Sequence, residues 1–278
     1  MENNKVTIFV VCHKPVDIIS NNVYKPIHVG RAISKYKNEM SYMIGDDTGE
    51  NISDKNPYFC ELTAQYWAWK NYNETEYIGF CHYRRFFKDT FTNDNIEKYF
   101  QRYNVILVGP RFRKYNRINF LNRFVCYDDI TILFGVVKQK YPEYYKTMCI
   151  CANDFYDYPS NMLVCKKKIF DEYAQWLFDI LFECEKHIKL SPYSRARRIY
   201  GYLSEFLMMV YFVHHKHKIK GMESFLVEKK QYIGFSRLDR IKYFVWRHIL
   251  FANEINKDFV YNIGITSGLK SDGIYLSF

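Results

Sequence analysis

Apolar positions fall along this chain in two styles: short, nearly unbroken runs, and longer stretches spaced by three and four. Val6 to Cys12 (VTIFVVC) is a nearly unbroken run rich in β-branched residues, ended by His13, Lys14 and Pro15. Such a run predicts a strand buried on both faces that empties into a loop. MSYMIG (Met40 to Gly45) predicts a second strand, ending in the polar loop DDTGENISDKNP. EYIGFCHY and NVILVGP predict a third and a fourth, and YPSNMLVCKK another buried one. Between them, Ile27 to Tyr36 predicts a short helix. Tyr58 to Tyr72 predicts a longer one with Phe59, Leu62, Tyr66 and Trp69 on one face. Further on, Ile169, Phe170, Tyr173, Trp176, Leu177, Ile180, Leu181 and Cys184 follow helical spacing. Arg198 to Val213 is apolar nearly all round, which predicts an internal helix. Strands alternating with helices predict an α/β fold with ligands at the carboxyl ends of the strands. No linker or repeat interrupts the chain, so the expectation is one domain with a helical C-terminal extension.

Composition narrows the class. Of 278 residues, 48% are hydrophobic, enough to bury a core. The 26 Tyr and 23 Phe suit carbohydrate faces, membrane interfaces and cores alike; an AT-rich genome would produce the same excess. A net charge of +10 favours anionic partners: nucleic acid, acidic lipid headgroups or a phosphorylated substrate. The eight cysteines form no CxxC pair, and several sit in apolar runs, which fits a reducing cytoplasm. The first residues, MENNKVTIFVVCHKP, lack a basic start, and no stretch approaches the roughly 18 apolar residues of a membrane span. A soluble or surface-bound protein is expected.

Five constellations carry candidate chemistry. Asp46 and Asp47 in GDDTGENIS close the second predicted strand, where carboxylates can bond a uracil or ribose or hold a divalent cation; an ordinary Asx/Gly turn fits too. His82, Tyr83, Arg84 and Arg85 close the third. An arginine there can grip a diphosphate, and alternation lets only one of the two point into a given site. In NDFYDYPSNM, Asp154 and Asp157 lie among Tyr156 and Tyr158, the combination of carboxylate and ring that a sugar site uses, or a tyrosine-rich turn. Glu205 shares a helix side with Arg198 and Gly201. It is a candidate general base for an acceptor hydroxyl, or half of an internal ion pair. Finally, RLDRIKYFVWRHILF carries an apolar stripe (Leu238, Ile241, Val245, Ile249) beside Arg237, Arg240, Lys242 and Arg247. That pattern fits a helix lying on an anionic bilayer and a last core helix equally. His214, His215 and His217 read as a solvated helix end. GxGxxG, P-loop, GxSxG and HExxH motifs are all absent, which removes the usual support for dehydrogenases, NTPases, serine hydrolases and zinc proteases.

Taken in order, VCHKP, GDDTGENIS, ELTAQYWAWKN, YIGFCHYRRFF, YPSNMLVCKK and GYLSEFL resemble the domain-of-unknown-function family DUF4422, found among capsular and O-antigen polysaccharide glycosyltransferases. The resemblance spans about Thr7 to Tyr211; CHYRRFF and ELTAQYWAWKN are its most specific parts. It implies a GT-A-like, Rossmann-type mixed sheet flanked by helices over residues 1–217, with 218–278 as the C-terminal extension. It also implies a nucleotide-sugar donor (a UDP-sugar, with galactose or galactofuranose as candidates) and a role in capsule, exopolysaccharide or O-antigen assembly; the basic charge fits a lipid-linked glycan acceptor at the inner face of the plasma membrane. By position, Asp46 and Asp47 resemble the nucleoside-binding acids of GT-A enzymes, and His82 to Arg85 stand where those enzymes keep a metal-binding Asp-x-Asp. No Asp-x-Asp occurs here. Either Asp46 or Asp154 holds a divalent metal (Mn or Mg), or Arg84 and Arg85 neutralise the leaving diphosphate. The expected site is then His13, Asp46, Asp47, His82, Arg84 and Arg85 on the donor, and Tyr156, Asp157, Tyr158 and Asn161 on sugar and acceptor. Glu205 is the expected base, with Asp154 second. The rival readings are a non-catalytic glycan-binding subunit and a basic nucleic-acid-binding protein. The second lacks any RRM, KH or helix-turn-helix signature, so no nucleic-acid partner is expected.

Overall fold

The structure, a computed structural model, describes residues 4–18, 20–234, 237–250 and 252–278. Among them the strands are β1 (Val6–Cys12), β2 (Tyr24–His28), β3 (Ile44–Gly45), β4 (Tyr77–His82), β5 (Arg85–Phe87) and β6 (Val105–Val108). They continue with β7 (Arg111–Phe112), β8 (Tyr156–Asp157), β9 (Leu163–Lys166), β10 (Ile219–Met222), β11 (Ser224–Leu226) and β12 (Gln231–Ile233). The chain divides into two compact units. The first comprises Met1–Pro110, Tyr158–Gln175 and His217–Gly234; the second comprises Arg111–Asp157, Trp176–Lys216 and Phe235–Phe278.

The first unit holds the main sheet, in the order β10-β6-β9-β4-β1-β2-β3. β1 pairs in parallel with β2 and β4, and β2 with β3. β9 runs antiparallel between β4 and β6, and β10 returns parallel to β6. All seven residues of β1 and all four of β6 are buried, as unbroken apolar runs require. One face packs Ile8, Val10, Ile106, Val164 and Met222 into a core that Phe91 and Ile96 cover. On the other, Phe9 stacks on Phe80 at 5.6 Å and meets Trp67 edge-on, while Phe80 packs on Phe170. Gly79 is bare for a reason: a Cβ there would stand 2.6 Å from Ile8 Cδ1 and 2.8 Å from Val164 Cγ2.

The second unit is helical. Tyr127–Lys140, Pro142–Asn153 and Ile199–His214 are its main helices, joined by the later turns of Lys167–Glu185, with β7 and β8 as a small antiparallel pair. Ile199–His214 is buried nearly all round, as its composition requires. Its end is not simply solvated: His215 Nε2 lies 2.6 Å from the Tyr144 hydroxyl, and His214 Nδ1 lies 3.2 Å from Thr147 Oγ1.

Several expectations are corrected. Ile27 to Tyr36 is not a helix. Tyr24–His28 is a parallel strand, then Gly30 turns left-handed (φ 64°) into the single 3-10 turn Arg31–Ile33. The second predicted strand shrinks to Ile44–Gly45, and the helix expected over 58–72 is broken at Cys60 (φ 55°) into Asn56–Phe59 and Leu62–Asn71. The chain passes from the second unit to the first at His217, and β10, β11 and β12 beyond it belong to the main sheet. The C-terminal helices begin only at 237. No disulfide joins the eight cysteines, six of which are buried.

Candidate active site

The loops after the parallel strands build two polar clusters in the sheet unit. In the first, the 3-10 turn after β2 and the turn after β3 meet around Asp46, which is fully buried. Its Oδ2 accepts the Gly30 N–H at 2.9 Å. Its Oδ1 accepts the Arg31 N–H at 3.1 Å and the Ser53 hydroxyl. Gly30 presents that N–H from a left-handed conformation, and a Cβ on it would stand 2.8 Å from Asn56 Cβ. Asp46 is therefore a staple for the strand-end loops. Asp47 stays partly open and accepts from Arg31 Nη1 at 3.1 Å. Buried Arg31 Nε has no partner among the described residues, so a guanidinium with a spare donor faces this turn.

The second cluster lies where β4 ends beside the start of β9. Ser160 and Asn161 are consecutive, buried and both left-handed, with φ of 82° and 48°. Such backbone costs about 1–3 kcal/mol per residue and persists only where its surroundings fix it. Here they do. Arg85 Nη1 donates to Ser160 Oγ, Gln65 Nε2 donates to the Asn161 carbonyl at 2.9 Å, and Asn161 Nδ2 donates to Glu61 Oε1 at 2.8 Å. His82 Nε2 lies 3.1 Å from the Ser160 carbonyl, which only accepts, so Nε2 carries the proton and Nδ1 is the basic nitrogen of the neutral ring. Burial lowers the His82 pKa, against the pull of Glu61 at 4.0 Å and the Ser160 carbonyl; Arg85 and Arg84 reinforce the fall. Arg84 points the other way, half-exposed, 3.6 Å from Glu228 and over the Tyr83 ring. His13 and Lys14 at the end of β1 also face that ring, whose buried hydroxyl has no partner among the described residues.

The sheet unit thus carries His13, Asp46, Asp47, His82, Arg84, Arg85 and Asn161 of the expected residues, in separate clusters, together with Glu61, Gln65 and Arg31, which were not expected. Glu61 and Gln65 sit inside ELTAQYWAWKN, where two polar residues on the buried turns of a helix were the available signal. Tyr158 also belongs to this unit but is buried.

The remaining candidates belong to the helical unit. Asp157 is buried and takes a bidentate pair from Arg113, Nε to Oδ1 at 3.0 Å and Nη2 to Oδ2 at 2.9 Å, with Arg117 at 4.0 Å. Asp154 Oδ1 accepts the Phe155 N–H at 2.8 Å, and its Oδ2 meets Arg247 Nη1. Burial pushes the Asp154 carboxyl up to about 6 against the pull of Arg247. Tyr156 packs edge-on to Tyr243 at 4.7 Å. Both rings and both acids are buried, and the acids are held by Arg113 and Arg247. Glu205 is half-buried on Ile199–His214.

A divalent cation finds little here to bind. Among the described residues no three His, Cys, Asp or Glu side chains gather as a cation site. Asp46 and Asp154, the two expected metal ligands, both direct their oxygens at protein donors. These side chains do not fit the Mn or Mg that the resemblance implied.

Comparison with known proteins agrees with the fold. An apo structure of the bifunctional glycosyltransferase WbbM is similar to this chain at 30% identity and a TM-score of 0.74, over 84% of this chain. The similarity covers 47% of WbbM, so this chain spans about half the length of that relative. No curated protein matches the chain. The model of a domain of unknown function, DUF4422, matches residues 7–217. With three quarters of its length under that match, the mixed α/β chain belongs to the DUF4422 family.

Proposed function

We propose that this chain is a glycosyltransferase that moves a hexosyl group from a UDP-sugar, galactose or galactofuranose being the candidates, to a lipid-linked surface-polysaccharide precursor. The observation that carries the reading is the fold shared with a bifunctional glycosyltransferase, bearing a cationic set at the carboxyl ends of its strands. In this reading the nucleoside lies against the turns that Asp46 staples, with Asp47 as the open carboxylate for ribose or base. Arg31 and, at the end of β4, Arg84 or Arg85 take the diphosphate, where guanidinium geometry suits paired phosphoryl oxygens. Reaction is a single displacement. The acceptor oxygen bonds to the anomeric carbon as the bond from that carbon to the diphosphate oxygen breaks, the nucleoside diphosphate leaving with the electron pair. Glu205 takes the acceptor proton, and Asp154, tied to Arg247, ranks behind it. Fixed cations lower the barrier by meeting charge where it develops.

The test has two parts. A thermal-shift panel of nucleoside diphosphates should show stabilisation by UDP and UDP-sugars without added manganese, as mass action requires of a ligand of the folded state. Glu205→Gln should retain that shift and lose about 10²–10⁴ in transfer rate. A melt that no nucleotide moves would sink the donor site. Undiminished turnover in the variant would sink only the base.

A further inference from the structure

The segment Arg237–Val245, continued by the π turn Trp246–Leu250, is an inside-out helix within the helical unit. Its polar and aromatic side faces the protein. Tyr243 packs on Tyr156, Trp246 meets Phe112 at 5.6 Å and Phe155 at 5.2 Å, and Arg247 bonds both the Asp154 carboxylate and the Tyr243 hydroxyl. Its apolar side faces outward. Leu238, Ile241, Phe244, Ile249 and Leu250 are 59% to 68% exposed. Soluble surfaces do not normally gather large apolar side chains this way. The side chain of Arg237, also expected on this helix, lies outside the described residues.

The charges around that face identify its partner. With helical residues about 100° apart, Phe244, Ile241, Val245 and Leu238 span an arc of about 120°. Lys242 lies about 40° beyond one edge of the arc and Arg240 about 40° beyond the other, and both are exposed. The helix's one acid, Asp239, falls on the inward side. An apolar arc rimmed on both edges by bases is what a helix needs to lie in a bilayer interface: apolar side chains enter the acyl boundary while the cations stay among the headgroups. A net charge of +10 adds long-range attraction of the same sign. None of the helices is long and apolar enough to cross a membrane, among the described residues.

We infer that residues 237–250 dock this protein flat on an anionic lipid bilayer, pinned from behind by the Arg247–Asp154 pair. The inference goes beyond the transferase reading and does not depend on it.

Cosedimentation of the full chain with phosphatidylcholine vesicles, with and without phosphatidylglycerol, tests it. Pelleting is expected only with the anionic vesicles. The triple variant Leu238→Glu, Ile241→Glu, Phe244→Glu should lower the partition coefficient more than about a hundredfold. The pair Arg240→Gln, Lys242→Gln should lower it roughly 25-fold, about fivefold per charge. Because all five side chains are exposed, melting and UDP binding should be unchanged in both variants, which keeps a failed membrane site distinct from a failed donor site. No pelleting with either vesicle, or a triple variant that pellets like its parent, overturns the inference. So does a parent that sediments as a dimer when the triple variant sediments as a monomer, because the face would then belong to a second copy.

Discussion

In the sheet unit the buried carboxylate Asp46 takes its hydrogen bonds from two backbone amides and a hydroxyl; in the helical unit Asp157 and Asp154 take theirs from Arg113 and Arg247. Neutral donors satisfy a carboxylate without consuming a cation. In the sheet unit Arg31 and Arg84 pair only with the partly open Asp47 and the exposed Glu228, whereas in the helical unit Arg113 and Arg247 are committed to buried acids. What distinguishes a binding site from a structural network is the availability of charge. Two buried aspartates flanked by tyrosines resemble a sugar site in sequence, yet their arginines have already claimed them.

The strongest way to break this contrast is Asp157→Ala. If the Arg113–Asp157 pair is structural, the variant leaves Arg113 and buried Arg117 uncompensated and should lose about 3–5 kcal/mol in denaturant titrations. Nucleotide binding should survive at temperatures where the variant is folded; its loss would place Asp157 in the donor site instead. Arg85→Ala comes next. Removing a fixed cation from a developing anion costs about 10²–10³ in turnover, so a donor-hydrolysis assay should fall by that factor. A change below threefold would show that Arg85 only props up Ser160.

The smallest expected effect is on the pH dependence of melting, and its two halves have opposite signs. Asp154 titrates at about 6 in the fold against 3.8 ordinarily, so the folded state holds its proton more tightly. Its contribution is fully present below pH 3.8 and is lost as pH rises through about 6. Asp154→Asn should remove that loss. His82 is shifted below 6.5, so its contribution is present above 6.5 and is lost on acidification. His82→Gln should flatten the acid limb. Identical profiles for parent and variants would refute both assignments.

Much of this architecture is legible in the sequence because its central strands are buried on both faces. Val105–Val108 reads as an unbroken apolar run, Val6–Cys12 and Tyr77–His82 as nearly unbroken ones, and Lys167–Glu185 as a clean helical stripe. Tyr24–His28 escapes notice because Lys25 and Pro26 interrupt its apolar pattern; the helix read into Ile27 to Tyr36 then hid Arg31. Glu61 and Gln65 escape for another reason. Their partner Asn161 lies about a hundred residues away, and periodicity registers only neighbours on one element. The arginines that claim Asp154 and Asp157 are distant in sequence in the same sense. Asp46, Asp47, His82 and Arg85 were visible because a strand's end is itself a sequence feature.

The return of β10 to the sheet bears on where the chain can be divided. The family match ends at residue 217, one strand short of the sheet's margin. A division there would strip β10 from β6 and leave four wholly apolar residues, Val105–Val108, with a row of open backbone donors and acceptors. Such a row recruits any extended chain it meets. β10 is a safer margin, because Lys220 supplies a charge, and Gly221 admits the Gly109 carbonyl, which would lie 2.2 Å from any Cβ. The strand β10 at the end of that row thus guards it against self-association, encoded outside the segment by which the family is known.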